Sequence, residues 1–473
     1  MVTLTTEPGL RTNAVGLALF IGEYGTAWGP IMAASTVSSI PILLFLFLQR
    51  YLLAGLTAGA VRDNEHKGVT LVKITRVETI TTPTYPNLMW LQLHTDDGPI
   101  GLGETFFAPA AAAAYIHEIA APYLLGKDPC EVERHVYTLS QGMQFRTMGA
   151  ETRGLSAIDV ALWDLFGQSV GLPIYRCLGG PVRERIRIYN TCAGYGYNIF
   201  KSRPPGSEFA ASWGMGEHEG PYEDLIKWQE EGRAGELAQE LLDMGITAMK
   251  IWPFDQFADA TNGQHIAPEQ VELGVAPFRQ IRDAVGMKME IAVELHSRWN
   301  LQSAIRIAEA LEEIKPMWYE DPIRMDNPDA LAQFAASTRV PTTASETLTG
   351  RFAFRQMLER GAIGVVMFDT GWVGGISEAR KVSALAEAYH RPVAPHDCTG
   401  PVTYTAGTHL CLATPNAMIQ EGVRAYYHGW YEDVLTELPN IERGYVAAPS
   451  GPGLGTHLQP GFTDRPDVIV QVS

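Results

Sequence analysis

The sequence predicts an α/β protein whose main domain is a barrel of parallel strands. The first observation is a regular spacing, because six short apolar runs each end in an acidic or basic residue. The gaps between these end residues are 26, 26, 23, 27 and 25. The second observation is that helical patterns, such as 301–314 and 377–389, lie between the runs. Strand and helix alternating at this period are typical of βα units, and enough such units close into a barrel. The six end residues are Glu294, Glu320, Glu346, Asp369, His396 and Glu421.

The end residues predict where the chemistry lies, since active sites of such barrels form at the C-terminal ends of the strands. Three of them are carboxylates from neighbouring strands: Glu294, Glu320 and Glu346. Grouped carboxylates repel one another unless a cation lies among them, and oxygen ligands without cysteine favour Mg²⁺ over zinc. Each acid alone could equally cap a helix or form a surface ion pair. Three in register favour a shared metal site.

Five short runs resemble the enolase superfamily, and within it the mandelate-racemase-like subgroup, from about Lys73 to the C-terminus. The runs are ELH at 294–296, YEDP at 319–322, SET at 345–347, FDTGWVGG at 368–375 and APHD at 394–397. The resemblance implies a modified TIM barrel, (β/α)7β, with an α+β capping domain. Members of this superfamily are known to use a Lys or His base with one or two Mg²⁺ ions.

The resemblance also implies roles for individual residues. Glu294, Glu320 and Glu346 would bind Mg²⁺, and the reaction would remove the proton α to a carboxylate. Asp369 would orient His396, the general base. Glu421 would hydrogen-bond the substrate carboxylate as it becomes an enediolate.

Length and composition limit the class of protein. The chain has 473 residues and a formal net charge of −17, which argues against nucleic acid as a partner. Its five cysteines are scattered and odd in number, which fits reduced thiols and a cytoplasmic location. We expect a small-molecule substrate and, from the resemblance, a homo-oligomer.

Residues 1–66 differ in character from the rest, because no charged residue occurs between 24 and 49. This transmembrane-like segment resembles the C-terminal end of an ABC-type sugar-transporter permease. A genuine fusion would allow membrane association through residues 24–51. A gene-boundary artefact would instead place the enzyme's start at Val72, and a chain beginning there would be fully active. An ordinary buried helix is a third possibility.

Residues 67–185 are predicted to form the capping domain, with three strands followed by helices at 110–125, 131–140 and 154–169. The run SAIDVALWDLFGQ at 156–168 is typical of this domain in the superfamily, where it sets substrate specificity. Tyr85 and either Arg146 or Arg153 are candidate substrate contacts from this domain. For the arginines, a solvated surface position is an equal alternative.

The barrel is predicted to span 186–421, and residues 422–473 would return to complete the cap. Asn190 ends the first strand and is a candidate substrate contact, and Lys250 ends the second. The superfamily places K-x-K here, but this chain has Trp252 at the second position. A lysine of lowered pKa can act as a base, whereas a tryptophan cannot, so Trp252 is predicted only to contact substrate.

His296 follows the third strand, and strand alternation predicts that it lies on the same side as Glu294. It could orient Glu294 or act as a general acid, as a similar carboxylate-x-His pattern suggests for acid-sugar dehydratases of this subgroup. We favour the acid. Arg298 and Trp299 are expected to bind substrate hydroxyls.

The favoured function is therefore a magnesium-dependent dehydratase of a sugar acid. A racemase or epimerase of a 2-hydroxy acid is an alternative within the superfamily. A membrane-anchored, non-catalytic binding protein associated with a transporter is a remote one.

Overall fold

The structure, a computed structural model, describes residues 72–142, 149–197 and 222–473, with Gly220 and a few residues between 21 and 36. The chain divides into two compact units, 1–71 and 72–473. In the first, the two-residue strands Ile21–Gly22 and Gly25–Thr26 pair antiparallel. No helix in the described parts of the chain has the length and apolar character needed to cross a bilayer. Most of the permease-like stretch lies outside the described residues, and so does Arg146.

The strands and helices of the second unit alternate along most of its length. The strands are β1 (Ile74–Thr81), β2 (Leu88–Thr95), β3 (Ile100–Phe106), β4 (Ile186–Thr191), β5 (Ala248–Ile251), β6 (Glu290–Glu294), β7 (Trp318–Glu320), β8 (Thr342–Ala344), β9 (Val365–Val366), β10 (Gln420–Gly422), β11 (Asn440–Glu442), β12 (Tyr445–Ala447) and β13 (Ile469–Val472). The helices are α1 (Pro109–Tyr115), α2 (Ala121–Leu124), α3 (Val132–Gly142), α4 (Ala150–Val170), α5 (Ile174–Cys177), α6 (Asp224–Gln229), α7 (Ala234–Asp243), α8 (Pro268–Val285), α9 (Leu301–Ala310), α10 (Pro328–Ser337), α11 (Gly350–Glu359), α12 (Gly375–Ala388), α13 (Pro401–Ala413) and α14 (Arg424–Tyr427).

The cap is built on an antiparallel sheet of order β13-β1-β2-β3, so the last strand of the chain joins the first three. Helix α4 packs across this sheet and is buried along most of its length. Gly103 on β3 permits this close approach, because a Cβ there would lie 2.0 Å from the carbonyl oxygen of Ala157.

The barrel is a ring of parallel strands in the order β9-β8-β7-β6-β5-β4-β10. Residues 393–396 close the ring between β9 and β10 through single bridges, including Val366↔Val393 and Val393↔Ala417. Pro395 has no N–H group to donate, which explains why this predicted strand is reduced to bridges. With this segment the ring has eight positions, and the predicted (β/α)7β barrel is confirmed.

Some predicted boundaries differ from the observed ones. Between the first two barrel strands the chain forms two helices, α6 and α7, and Gly232 adopts a left-handed φ of 63° between them. The hairpin of β11 and β12 follows the last barrel strand and pairs antiparallel with the start of β4. Part of the C-terminal segment therefore packs on the barrel, and only its end joins the cap sheet.

Candidate active site

The barrel interior explains why polar side chains gather at one mouth. A buried cluster of eight residues fills the ring below the mouth. Seven of its members lie two positions before a polar residue of the mouth, and side chains two apart on a strand share a face. The pairs are Tyr189 with Thr191, Ala248 with Lys250, Ala292 with Glu294, Trp318 with Glu320, Met367 with Asp369, Ala394 with His396, and Ile419 with Glu421.

Lys250 lies at the centre of this layer. Its Nζ is 2.8 Å from Oε1 of Glu421 and 3.4 Å from Oε2 of Glu294, and it donates a hydrogen bond to Glu320. The side chains of all four residues are at most 4% exposed. Their charges therefore interact in a medium far less polarisable than water.

The pKa values of these carboxyls separate strongly. Burial raises the pKa of Glu320, and the neighbouring Glu294 raises it further against the opposing effect of Lys250. Burial also raises the pKa of Glu294. For Glu421, burial acts in the same direction, but the charges of Lys250 and His396 lower its pKa to about 2. Glu421 is consequently ionised at neutral pH, and it accepts hydrogen bonds from Thr191 and the backbone N–H of Asp397.

Three carboxylates were predicted to bind a metal, and their donor chemistry suits a hard cation. Glu346 is half-buried, and its Oε2 is buried without a hydrogen-bond partner among the described residues. The charge of Glu346 also raises the pKa of Glu294 and of Asp321, so these carboxyl groups interact electrostatically. In the described chain, however, no three His, Cys, Asp or Glu side chains are already arranged as a metal cage. The ammonium of Lys250 bonds to Glu320 and lies near Glu294 instead.

His396 and Asp369 form a buried pair on the adjoining side of the mouth. His396 Nδ1 is 2.8 Å from Oδ2 of Asp369, and its Nε2 is 3.9 Å from Oε2 of Glu421. The ring of Trp372 packs against the imidazole with centroids 5.4 Å apart. Burial lowers the pKa of His396, but the negative charges of Glu421, Asp369 and Glu346 outweigh it and raise the pKa to about 10.

The structure does not support the reason given for the predicted position of His296. Strand β6 ends at Glu294, and His296 has a left-handed φ of 46°, so strand alternation does not place its side chain. Its backbone nitrogen donates a hydrogen bond to Glu294, at 2.6 Å from Oε1. The ring Nδ1 lies 2.6 Å from Oδ2 of Asp255.

Asn190 is not in the mouth, although it was predicted there. Alternation along β4 turns Tyr189 and Thr191 inward and Asn190 toward the helical layer. Its Oδ1 accepts the backbone N–H of Arg424 at 2.8 Å, and its Nδ2 donates to Asp224 at 2.9 Å. Thr191 was missed because the first strand was ended one residue too early.

The remaining barrel candidates lie around His296. Trp252 is buried and packs edge-on against the His296 ring at 5.7 Å. Arg298 pairs with Asp259, and its Nη1 donates to the carbonyl of Asp255 at 3.1 Å. Trp299 is buried, and its contact with substrate hydroxyls stays a prediction.

The cap candidates occupy two different places. Tyr85 is buried against Trp430, with ring centroids 4.8 Å apart, and borders a cavity of about 830 Å³ whose lining includes none of the mouth carboxylates or histidines. Arg153 of α4 stacks on Trp372 at 4.3 Å and donates to the carbonyl of Phe106 at 2.7 Å. Arg153 therefore approaches the His396 side of the mouth through Trp372.

Comparison with known proteins identifies the family. The model of the mandelate racemase/muconate lactonizing enzyme N-terminal domain matches residues 69–179, and that of the enolase C-terminal domain-like family matches 233–461. Neither match reaches residues 1–66, so the permease resemblance gains no support. A D-galactonate dehydratase of Ralstonia nicotianae is 30% identical over 397 residues, which are 82% of this chain and 92% of that one. A D-galactonate dehydratase of Variovorax paradoxus is 29% identical over 394 residues, with the same coverage.

Solved structures agree with these matches. An enolase of the mandelate racemase subgroup from Agrobacterium tumefaciens is 44% identical, with a TM-score of 0.74 over 85% of this chain and 98% of that one. An enolase protein from Sargasso Sea environmental sequencing is 40% identical, with a TM-score of 0.74 over 85% and 99%. Members of the superfamily generally use Mg²⁺. The chain thus belongs to the enolase superfamily, with the N- and C-terminal domains of the mandelate racemase and muconate lactonizing enzyme group, and it is an enzyme.

Proposed function

We propose that the chain is a hydro-lyase that dehydrates an aldonic or aldaric acid to a 2-keto-3-deoxy acid. The observation that carries this proposal is that His396 and Lys250 face one mouth, while Trp252 replaces the second lysine of the superfamily pattern. One base is sufficient for elimination. The names of the D-galactonate dehydratases support the same reaction type.

His396 is the proposed base for the proton on C2, and Asp369 holds its Nδ1 so that Nε2 points to the reaction. A base must be unprotonated to act, and the surrounding carboxylates favour the protonated form. Added positive charge in the mouth would lower the pKa of His396 toward neutrality. A cation beyond Lys250 would therefore favour the unprotonated form that the base needs.

Mg²⁺ is the proposed cation, held by Glu294, Glu320 and Glu346. When bound, it would supply positive charge that stabilises the second negative charge of the enediolate. The buried, unpartnered Oε2 of Glu346 is consistent with such a ligand.

Lys250 and Glu421 complete the proposed site. The Lys250 ammonium stabilises the negative charge that develops on the substrate carboxylate when the C2 proton leaves. The hydrogen bond expected from Glu421 to that carboxylate stays a prediction. In the structure Glu421 holds Lys250 through Oε1, while its Oε2 lies 3.9 Å from Nε2 of His396.

The alternatives are less consistent with these residues. Racemisation needs a base on each face of the enediolate, and a tryptophan at position 252 cannot return a proton. The non-catalytic binding protein is excluded, because the chain is an enzyme. The homo-oligomer remains a prediction.

The test is a screen of aldonic and aldaric acids with Mg²⁺, scored for 2-keto product and followed by NMR in D₂O. We expect a 2-keto-3-deoxy acid without the C2 epimer, and His396→Asn should abolish both product formation and exchange of the C2 proton. Rapid formation of the C2 epimer without keto product would overturn the proposal in favour of a racemase.

A further inference from the structure

The ring of His296 is held by a carboxylate that no sequence motif indicated. Asp255 Oδ2 lies 2.6 Å from His296 Nδ1, and the Asp255 side chain is 5% exposed whereas that of His296 is 21% exposed. The hydrogen bond is thus largely shielded from water, while part of the histidine side chain remains accessible. A side chain with that combination can contact a substrate on one side while a fixed partner holds it on the other.

Asp255 is itself held in place from several directions. It begins a short 3-10 turn, Asp255–Phe257, just beyond β5, and its backbone N–H donates to the carbonyl of Trp252 at 3.3 Å. Phe254 packs at 0% exposure beside Gly274 of α8, where a Cβ would lie 2.3 Å from its ring. Arg298 contacts the Asp255 carbonyl and lies 3.9 Å from Oδ2. The turn therefore presents the carboxylate from a fixed position.

The backbone of His296 is also constrained. The left-handed φ values of His296 and Ser297, 46° and 57°, turn the chain sharply after Glu294. The N–H of His296 is bonded to Glu294, and the Trp252 ring meets the imidazole nearly at right angles. With the main chain constrained and Trp252 against the ring, the carboxylate bond to Nδ1 sets the orientation of the imidazole and hence of Nε2.

The same arrangement occurs at the proposed base. In His396–Asp369 a buried carboxylate holds Nδ1 at 2.8 Å, and in His296–Asp255 another does so at 2.6 Å. The two histidines belong to different parts of the ring, because His296 follows β6 and His396 ends the segment 393–396. Two imidazoles held in this way match the need of dehydration for one group that takes a proton and another that supplies one.

We propose that Asp255 is a positioning residue, which holds the His296 imidazole so that Nε2–H protonates the hydroxyl leaving C3. This inference rests on the proposed dehydratase function. The C2–H bond breaks and its proton passes to His396, while its electron pair forms the C2 enediolate. The C3–O bond then breaks, the proton of His296 converts the leaving hydroxide to water, and the enol tautomerises to the 2-keto-3-deoxy acid.

The test compares Asp255→Asn, His296→Asn and the double variant on an acid that the wild type dehydrates in the presence of Mg²⁺. General acid catalysis contributes about 10²–10⁴-fold, so we expect kcat of Asp255→Asn to fall about 10²-fold while KM changes less than about threefold. If Asp255 acts through His296, the double variant should be no slower than His296→Asn. The matched control is Asp259→Asn, which removes the other carboxylate that pairs with Arg298.

A second readout separates positioning from a loss of fold. In the 3-deoxy-3-fluoro analogue of the same acid, fluoride leaves without needing a proton, so Asp255→Asn should slow its elimination far less than it slows dehydration. Equal slowing of both substrates, effects that multiply in the double variant, or a kcat like that of Asp259→Asn would each overturn the proposal. Absence of wild-type dehydration with every acid would instead refute the proposed function.

Discussion

Two clusters in this barrel each combine a cation with carboxylates, and they differ in charge balance. Outside the ring, Arg424 binds Asp224 at 2.6 Å and Glu240 at 3.1 Å, and Lys227 also pairs with Glu240. The two positive and two negative charges give this cluster a formal net charge of zero. In the mouth, Lys250 meets Glu294, Glu320 and Glu421, so one positive charge meets three negative ones, giving −2 if all are ionised.

The two clusters also differ in hydrogen bonding. Arg424 donates hydrogen bonds through Nε and Nη2 to Asp224, and its guanidinium lies 4.2 Å from the Tyr222 ring centroid. Its backbone N–H donates to Oδ1 of Asn190. The mouth instead retains an unpartnered carboxyl oxygen on Glu346 among the described residues. A neutral cluster with paired hydrogen-bonding groups stabilises the fold, whereas a cluster with excess negative charge can bind a further cation and a substrate. The following predictions test this difference, from the largest effect to the smallest.

Lys250→Met should reduce kcat about 10³-fold, because it removes a donor that stabilises charge in the transition state. Kinetics with saturating Mg²⁺ would measure this, alongside urea unfolding of the same protein. A variant that loses stability but keeps its kcat would show that the mouth cluster is structural.

Glu320→Gln should weaken Mg²⁺ binding at least tenfold, since it removes a full charge from the proposed ligands. Calorimetric titration with Mg²⁺ would measure the change, and EDTA should abolish wild-type activity until Mg²⁺ is restored. The control is Glu313→Gln, an exposed acid paired with Arg279. Full turnover by verified metal-free enzyme would contradict the proposed site.

Arg424→Met should lower the free energy of unfolding by about 3–5 kcal/mol, because it leaves the buried Asp224 without its charged partner. The kcat of the molecules that remain folded should change by less than about threefold, since this cluster does not face the mouth. Urea unfolding and active-site-normalised kinetics would measure both. A large fall in kcat at unchanged stability would remove the distinction between the clusters.

Asp164 provides a third case, a buried carboxyl with backbone donors from Leu102 and Leu454. Burial raises its pKa to about 7, against these hydrogen bonds. The folded state therefore holds a proton that the unfolded chain releases near pH 4, and stability from this group is lost as pH rises from about 4 to 7.

Asp164→Asn should flatten this decline, which would amount to about 1.4 kcal/mol per pH unit at most. Urea unfolding at pH 5, 6, 7 and 8 would measure it, with the exposed Asp243→Asn as control. A decline equally steep in Asp164→Asn would show that other groups cause it.

The barrel and its mouth could be predicted because parallel units repeat, and the period of strand and helix is visible in the chain. The same regularity places Lys250, Glu294 and Glu320 two residues after Ala248, Ala292 and Trp318. The prediction for Asn190 differs from the structure because the first strand was ended one residue early, and a shift of one residue exchanges the two faces of a strand.

Sequence alone determined the fold, the family and the set of polar residues at the strand ends, because hydrophobic periodicity and local motifs are properties of neighbouring residues. Tertiary structure decided which of these residues meet. Asp255 lies 41 positions before His296, and Asp224 lies 200 positions before Arg424. Such pairs depend on turns, left-handed residues and strand faces, so the partner of each charge becomes visible only when the chain is folded.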